Sequence, residues 1–241
     1  MSSAPDSSRP ITAVPAILVA VRAMDASRII RVLDETVERY GFDITLDETV
    51  FPALRVVGTF WASGTLDVAH EHLLSSAVTR WVYARLQRLE VHREGSILLA
   101  AGPEDRHVLG LDCLELLLAQ RGVQVCNLGG QIPTTSLIFA AEAAHAAAVV
   151  ICAHNPTVAS QAVDAVKSVA AAGFPTYYAG SSFASQFVRQ HTPGDPLDAP
   201  LSVSADLLAQ RHTITRRVVR VSDRAGWADA ASGSRRHSPV P

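Results

Sequence analysis

A chain of 241 residues with 48% hydrophobic composition can bury one large core or two modest ones, and a formal net charge of −2 gives no support for nucleic-acid binding over its whole surface. Cys113, Cys126 and Cys152 lie in apolar runs without CxxC spacing, which points to reduced thiols in a cytoplasmic protein rather than a disulfide framework or a zinc site. No basic, apolar leader opens the chain and no apolar run is long enough for a membrane span, so neither export nor membrane insertion is expected.

Residues 1–14 are rich in Ser and Pro and are expected to be disordered. Over 15–90 the apolar residues recur with helical spacing. Ala16–Met24, Ala26–Tyr40, a stretch from about Leu46 to Trp61, and Val68–Leu89 read as four helices of a compact bundle, punctuated by Gly41, Gly58 and Gly64. In the last of these Leu73, Leu74, Ala77, Val78, Trp81, Val82 and Leu86 share one face.

From residue 95 the pattern changes. SILLAA, GVQVCNL, AAVVICA and PTYYAG suit buried parallel strands, and amphipathic helices over Leu109–Arg121, Thr135–Ala146 and Ser160–Ala172 separate them. Strand–helix alternation implies right-handed crossovers and a doubly wound, flavodoxin-like parallel sheet over 95–212, with Pro200–Gln210 resembling a closing helix. Residues 213–241 read as a flexible tail whose Arg216, Arg217, Arg220, Arg224, Arg235 and Arg236, together with Arg211 just before it, suit either a contact with nucleic acid or an acidic partner, or plain solvation.

The first strand leads into Asp105, His107 and Gly110, a D-x-H-x-x-G pattern at the rim where doubly wound sheets bind ligands. A neutral imidazole there suits a cobalt, iron or zinc centre, and Asp105 can accept the other ring N–H and so fix the tautomer. Alternatively, Asp105 is the N-cap of the following helix and His107 has no ligand role. In the helical half, Trp61 is followed after nine residues by Glu71-His72. An indole can lie as a flat apolar lid and Glu71 can accept hydrogen bonds from hydroxyl or amine groups, unless Trp61 is a core residue and the pair a solvated helix start. His92, His145, His191 and His212 show no metal-like spacing.

A helical segment followed by D-x-H-x-x-G in the first strand–helix unit of such a sheet resembles the cobalamin-binding module of corrinoid methyltransferases, mutases and certain regulators. The resemblance covers about residues 15–210. It implies His107 as lower axial cobalt ligand, replacing the cofactor's own base, with Asp105 bonded to it and the loop Arg106, Val108, Leu109 and Gly110 beside the displaced tail. Two further family motifs are partly kept: S-x-L aligns near Cys152-Ala153-His154, and G-G appears as Ala179-Gly180 followed by Ser181. The Trp61, Glu71, His72 spacing resembles the cap of light-sensing, adenosylcobalamin-dependent regulators of the CarH type, and implies that these three residues contact the adenosyl group. The second histidine that the CarH type uses after photolysis is replaced here by Ala62, and only about 14 residues precede the cap where those regulators carry a DNA-binding domain. The resemblance therefore implies a non-enzymatic sensor, binding adenosylcobalamin base-off and acting on a protein partner such as a transcription regulator. It is not expected to bind specific DNA alone, and a homo-oligomer is left open. A methyl carrier for a methyltransferase, or a cobalamin carrier, is the competing expectation.

Overall fold

The computed structural model describes residues 13–89 and 96–212. The first half is helical: α1 (Ala13–Arg22), α2 (Ala26–Thr45), α3 (Phe51–Ala62) and α4 (Val68–Leu86). Asp25 opens α2 by accepting from the Arg28 amide at 2.8 Å, and Asp67 opens α4 by accepting from the Ala69 amide at 2.8 Å. Helix α1 starts before the expected Ala16, at Ala13, and α4 ends before Leu89, at Leu86. The helix breaks at Gly41, as the sequence suggested: its φ 82° and ψ 173° are non-helical, and a second helical segment follows across this kink to Thr45. The chain then passes through a π-helical turn, Leu46–Val50, straight into α3. The expected helix from Leu46 to Trp61 is thus a turn and a helix in series.

The second half alternates β1 (Ser96–Ala101), α5 (Leu109–Gln120), β2 (Gln124–Asn127), α6 (Thr134–Ala143), β3 (Ala146–Cys152), α7 (Ala159–Ala171), β4 (Thr176–Ala179), the short α8 (Gln186–Gln190), β5 (Asp195–Pro196) and α9 (Leu201–His212). The described strands pair in parallel in the order β2-β1-β3-β4-β5, the flavodoxin arrangement with its switch point between β1 and β3. The two-residue β5 and the short α8 carry no periodic signal and were not foreseen. The region around 200–210, read as a closing helix, is α9.

Period-two alternation divides the sheet's side chains between two cores. Ile97, Leu99, Ala101, Ala148, Val150 and Cys152 face α5, α9 and the helical half, whereas Leu98, Ala100, Val149, Ile151 and Ala153 face α6 and α7. The first core is continuous with Ile17, Ile29, Leu33, Leu74 and Trp81 of the bundle. Polar ties reinforce that join. Asp47, in the π-helical turn, accepts from the Leu201 and Ser202 amides at 2.9 and 3.2 Å and so caps α9 from outside it. Arg121, at the end of α5, donates to Asp43 of α2 and Asp206 of α9. Among the described residues no helix is long and apolar enough to cross a membrane.

Candidate functional site

At the switch point the chain leaves β1 and β3 side by side: Ala101 pairs with Cys152, and the Gly102 amide donates to the Cys152 carbonyl at 2.9 Å. The two following loops are therefore neighbours, and Asp105 is the post to which both are tied. Its buried carboxylate accepts from the backbone amides of His107 (2.9 Å) and Asn155 (3.0 Å), from the His154 amide, and from His107 Nδ1 at 2.7 Å. Burial acts to raise the Asp105 pKa, but the converging N–H donors outweigh it and hold the group down at about 2. An ionised Asp105 makes His107 Nδ1 the donor of this bond, so the tautomer it favours carries its lone pair on Nε2. The His107 side chain is 64% exposed while Asp105 is 1% exposed, so the imidazole stands out from a buried anchor.

That geometry decides between the two readings of Asp105. It is not the N-cap of α5: the residue before Leu109 is Val108, with no side-chain cap bond, and Asp105 instead turns its carboxylate on the ring two residues ahead. Arg106 and His107, with Glu104, Gln131 and Asn155, line a cavity of about 550 Å³. Val108 and Leu109 pack against the core and Gly110 has nothing within 4 Å of where a Cβ would sit. The loops after β3 and β4 close one side. Gly180 takes φ +106°, and a Cβ there would lie 2.2 Å from the Ala153 carbonyl oxygen, so only glycine fits beside Ala179. Ser181 Oγ donates to the His154 carbonyl at 3.0 Å, and the Ser181 amide reaches His154 Nδ1 at 3.4 Å. The His154 ring meets that of His107 edge-on, centroids 5.7 Å apart. Burial, then the nearby His107, lowers the His154 pKa against the pull of Asp105.

Cys152 stands apart from this group. Its place in the β3 alternation turns the thiol into the core facing the helical half, where burial pushes its pKa up to about 12. The helical motif is on the surface. Trp61, near the end of α3, is 49% exposed, so it is not a bundle-core residue; that place is taken by Trp81. Glu71 and His72 lie in the first turn of α4, joined by a 3.0 Å contact between Oε2 and Nδ1. No hydrogen bond, ion pair or ring contact among the described residues links Trp61 to that pair, or either to His107. The sequence pointed to the His107 loop but missed Gln131, Asn155 and Gly130. Of these, Gly130 had a signal in the Gly-Gly pair after β2: a Cβ on it would lie 3.0 Å from the Asp105 carbonyl oxygen.

The donor set fits a cobalt already held by a macrocycle. Among the described residues no group of three or more His, Cys, Asp or Glu side chains is arranged to hold a metal ion. A lone imidazole with its second nitrogen fixed by a carboxylate cannot complete a shell for a bare cation, but it suits one axial position.

Residues 15–86 match the family model described as B12 binding domain. The chain is 38% identical over 120 residues to the HTH-type transcriptional repressor CarH of Myxococcus xanthus, a stretch covering 50% of this chain and 40% of that protein. The chain thus spans about two fifths of that relative's length. The structure of the monomethylamine corrinoid protein of Methanosarcina barkeri superposes with a TM-score of 0.63 at 11% identity, covering 80% of this chain and 95% of that one, a likeness of fold. The B12 binding domain match thus covers residues 15–86, and the chain is similar to CarH over half its length.

Proposed function

We propose that the protein is an adenosylcobalamin-binding sensor that responds to light and acts, in the cytoplasm, on a protein partner such as a transcription regulator, without being an enzyme itself. The observation that carries this is the Asp105–His107 pair, which leaves Nε2 free at the edge of the cavity. Bound adenosylcobalamin would supply a cobalt–carbon bond that light splits, so the chain needs no catalytic side chain. His107 would hold the lower face, which leaves the cofactor base-off, and Asp105 would keep the ring in the ligating tautomer. Arg106, Gln131 and Asn155 offer donors around the same opening. On the helical side Trp61 presents an exposed indole, and Glu71 an acceptor for the adenosyl group. The identity to CarH, whose name describes a repressor, supports the regulatory reading. The methyl-carrier reading rests on likeness of fold alone.

The test is the absorption spectrum of the purified full chain with adenosylcobalamin, kept dark and then illuminated. A base-off spectrum in the dark that changes on illumination is expected. A bound cofactor whose release and spectrum are indifferent to light, with methylcobalamin bound as tightly, would replace the sensor by a carrier.

A further inference from the structure

A buried carboxylate oxygen without a hydrogen-bond partner among the described residues sits where the helical half meets the sheet: Oδ2 of Asp112, in the first turn of α5. The other oxygen, Oδ1, accepts from the hydroxyl of Tyr83 on α4 at 3.3 Å and from Nδ2 of Asn127, at the end of β2, at 3.1 Å. Asn127 is committed on every side. Its Nδ2 also donates to Glu115 Oε2 at 2.9 Å, and its Oδ1 accepts from the Gly129 amide at 3.0 Å. Beyond it the backbone runs into the ligand loop. The Gly129 carbonyl accepts from the Ala101 amide at 2.8 Å, the Gln131 amide donates to the Asp105 carbonyl at 2.8 Å, and a Cβ at Gly130 would press within 3.0 Å of that same oxygen. Hydrogen bonds from Tyr83 of α4 to the Gly129 amide, then the backbone of the Gly129–Gln131 turn, thus join α4 to the main chain of the residue that orients His107.

We propose that Tyr83, Asp112 and Asn127 couple the helical half to the axial-ligand loop, with Asn127 as the positioning residue that holds the Gly129–Gln131 turn against Asp105. The inference rests on His107 being the cobalt ligand. Its physical basis is incomplete satisfaction. A buried oxygen left unpaired is costly, and burial pushes Asp112 and Glu115 both toward their neutral forms, so this junction gains from any shift of α4 that supplies a better partner. Such a shift reaches Asn127 through the oxygen it shares with Tyr83. Removing the Asn127 amide leaves the Gly129 N–H without its acceptor and the two carboxylates without their common donor, and the turn backing Asp105 loosens.

The test uses the full chain labelled with nitrogen-15 histidine and loaded with cob(II)alamin, read by electron paramagnetic resonance. An axial histidine nitrogen then gives a doublet splitting, and the cofactor's own benzimidazole nitrogen a triplet. The wild type is expected to show the doublet. Asn127→Ala should mix in the triplet and release cobalamin about fivefold faster or more, Tyr83→Phe should move both readouts the same way by less, and the double variant should be no worse than Asn127→Ala alone. Val166→Ala, which opens a cavity under α7, should lose stability and keep the doublet. Should Asn127→Ala not fold, Tyr83→Phe carries the test, because Tyr83 is only half-buried and the substitution removes a single hydroxyl. A pure doublet with unchanged release in these variants, or additive effects, overturns the coupling while leaving His107 as ligand. A triplet in the wild type removes His107 ligation, and the coupling with it.

Discussion

Asp105 and His107 divide one task between a buried anchor and an exposed ring, and the two can be separated by substitution. On the proposed reading, in which His107 is the axial donor, His107→Ala is expected to return bound cobalamin to its base-on spectrum or to lose it. Asp105→Asn keeps the ring but loses the carboxylate that fixes its tautomer and ties the loops after β1 and β3 together, and affinity should fall by about 10- to 100-fold. Titration of adenosylcobalamin followed by absorbance checks both; an unchanged spectrum for His107→Ala would sink axial ligation by that residue. Asp112 tests the opposite electrostatic case. Burial raises its pKa above the ordinary value, with the Asn127 and Tyr83 hydrogen bonds acting against that. A carboxyl with a raised folded-state pKa binds more protons folded than unfolded, so it favours folding at pH below its unfolded pKa, and that advantage is lost as pH rises through the folded value. Wild-type stability relative to Asp112→Asn should therefore fall as pH rises from about 4 toward neutrality, read from urea midpoints at each pH. A pH-independent difference would show that the carboxyl titrates normally.

Loops and helix starts, rather than the elements themselves, carry the site, and two glycines show how differently they do so. Gly180→Ala puts a Cβ 2.2 Å from the Ala153 carbonyl oxygen in a backbone with φ +106°, so it should destabilise the apo-protein by about 1–3 kcal/mol or more in urea unfolding. Gly110→Ala meets nothing within 4 Å, and in a helix an alanine should be neutral or stabilising by about 0.5–1 kcal/mol. If the displaced cofactor tail runs past the start of α5, the same substitution should weaken cobalamin binding without weakening the fold. Equal affinity in wild type and Gly110→Ala would take the tail away from that helix. The contrast also shows what the sequence could reveal. The strands and the helices between them were legible because period-two and period-3.6 patterns are local, and Asp105, His107 and Gly110 because their spacing is fixed by a single loop. Gln131 and Asn155 come to the cavity from two other loops, and neither residue's own type or spacing marks it. Gly41 does end the helical run, and what went unread is the short helical segment beyond it, where Thr45 Oγ1 bonds back to the Gly41 carbonyl at 2.7 Å.

At the scale of the molecule, the helical half and the sheet share one core, sealed by Asp47 on α9 and by Arg121 between α2 and α9. If the protein senses light as proposed, loss of the adenosyl group is not expected to separate the halves, since those ties involve neither the exposed Trp61 nor the partly buried Glu71. The change should be largest at the ends of α3 and α4 that present those residues, and reach the sheet through the Tyr83–Asp112 contact. Hydrogen exchange of the loaded chain, dark against lit, should show lost protection at the 61–72 segment and little change across α2, α5 and α9. Ala62 adds a second expectation, because its methyl side chain has no donor to offer the cofactor after illumination. The lit state should then accept added imidazole, with a shift in its absorption spectrum. Trp61→Ala and Glu71→Ala should weaken adenosylcobalamin binding about tenfold or more, since a hydrogen bond to a charged acceptor contributes roughly 1.5–3 kcal/mol, while methylcobalamin binding stays nearly constant. Equal losses for both cofactors would make the pair structural. A lit spectrum unmoved by imidazole but altered by His70→Ala or His72→Ala would show that a nearby histidine, and not an added ligand, takes the position that Ala62 cannot fill.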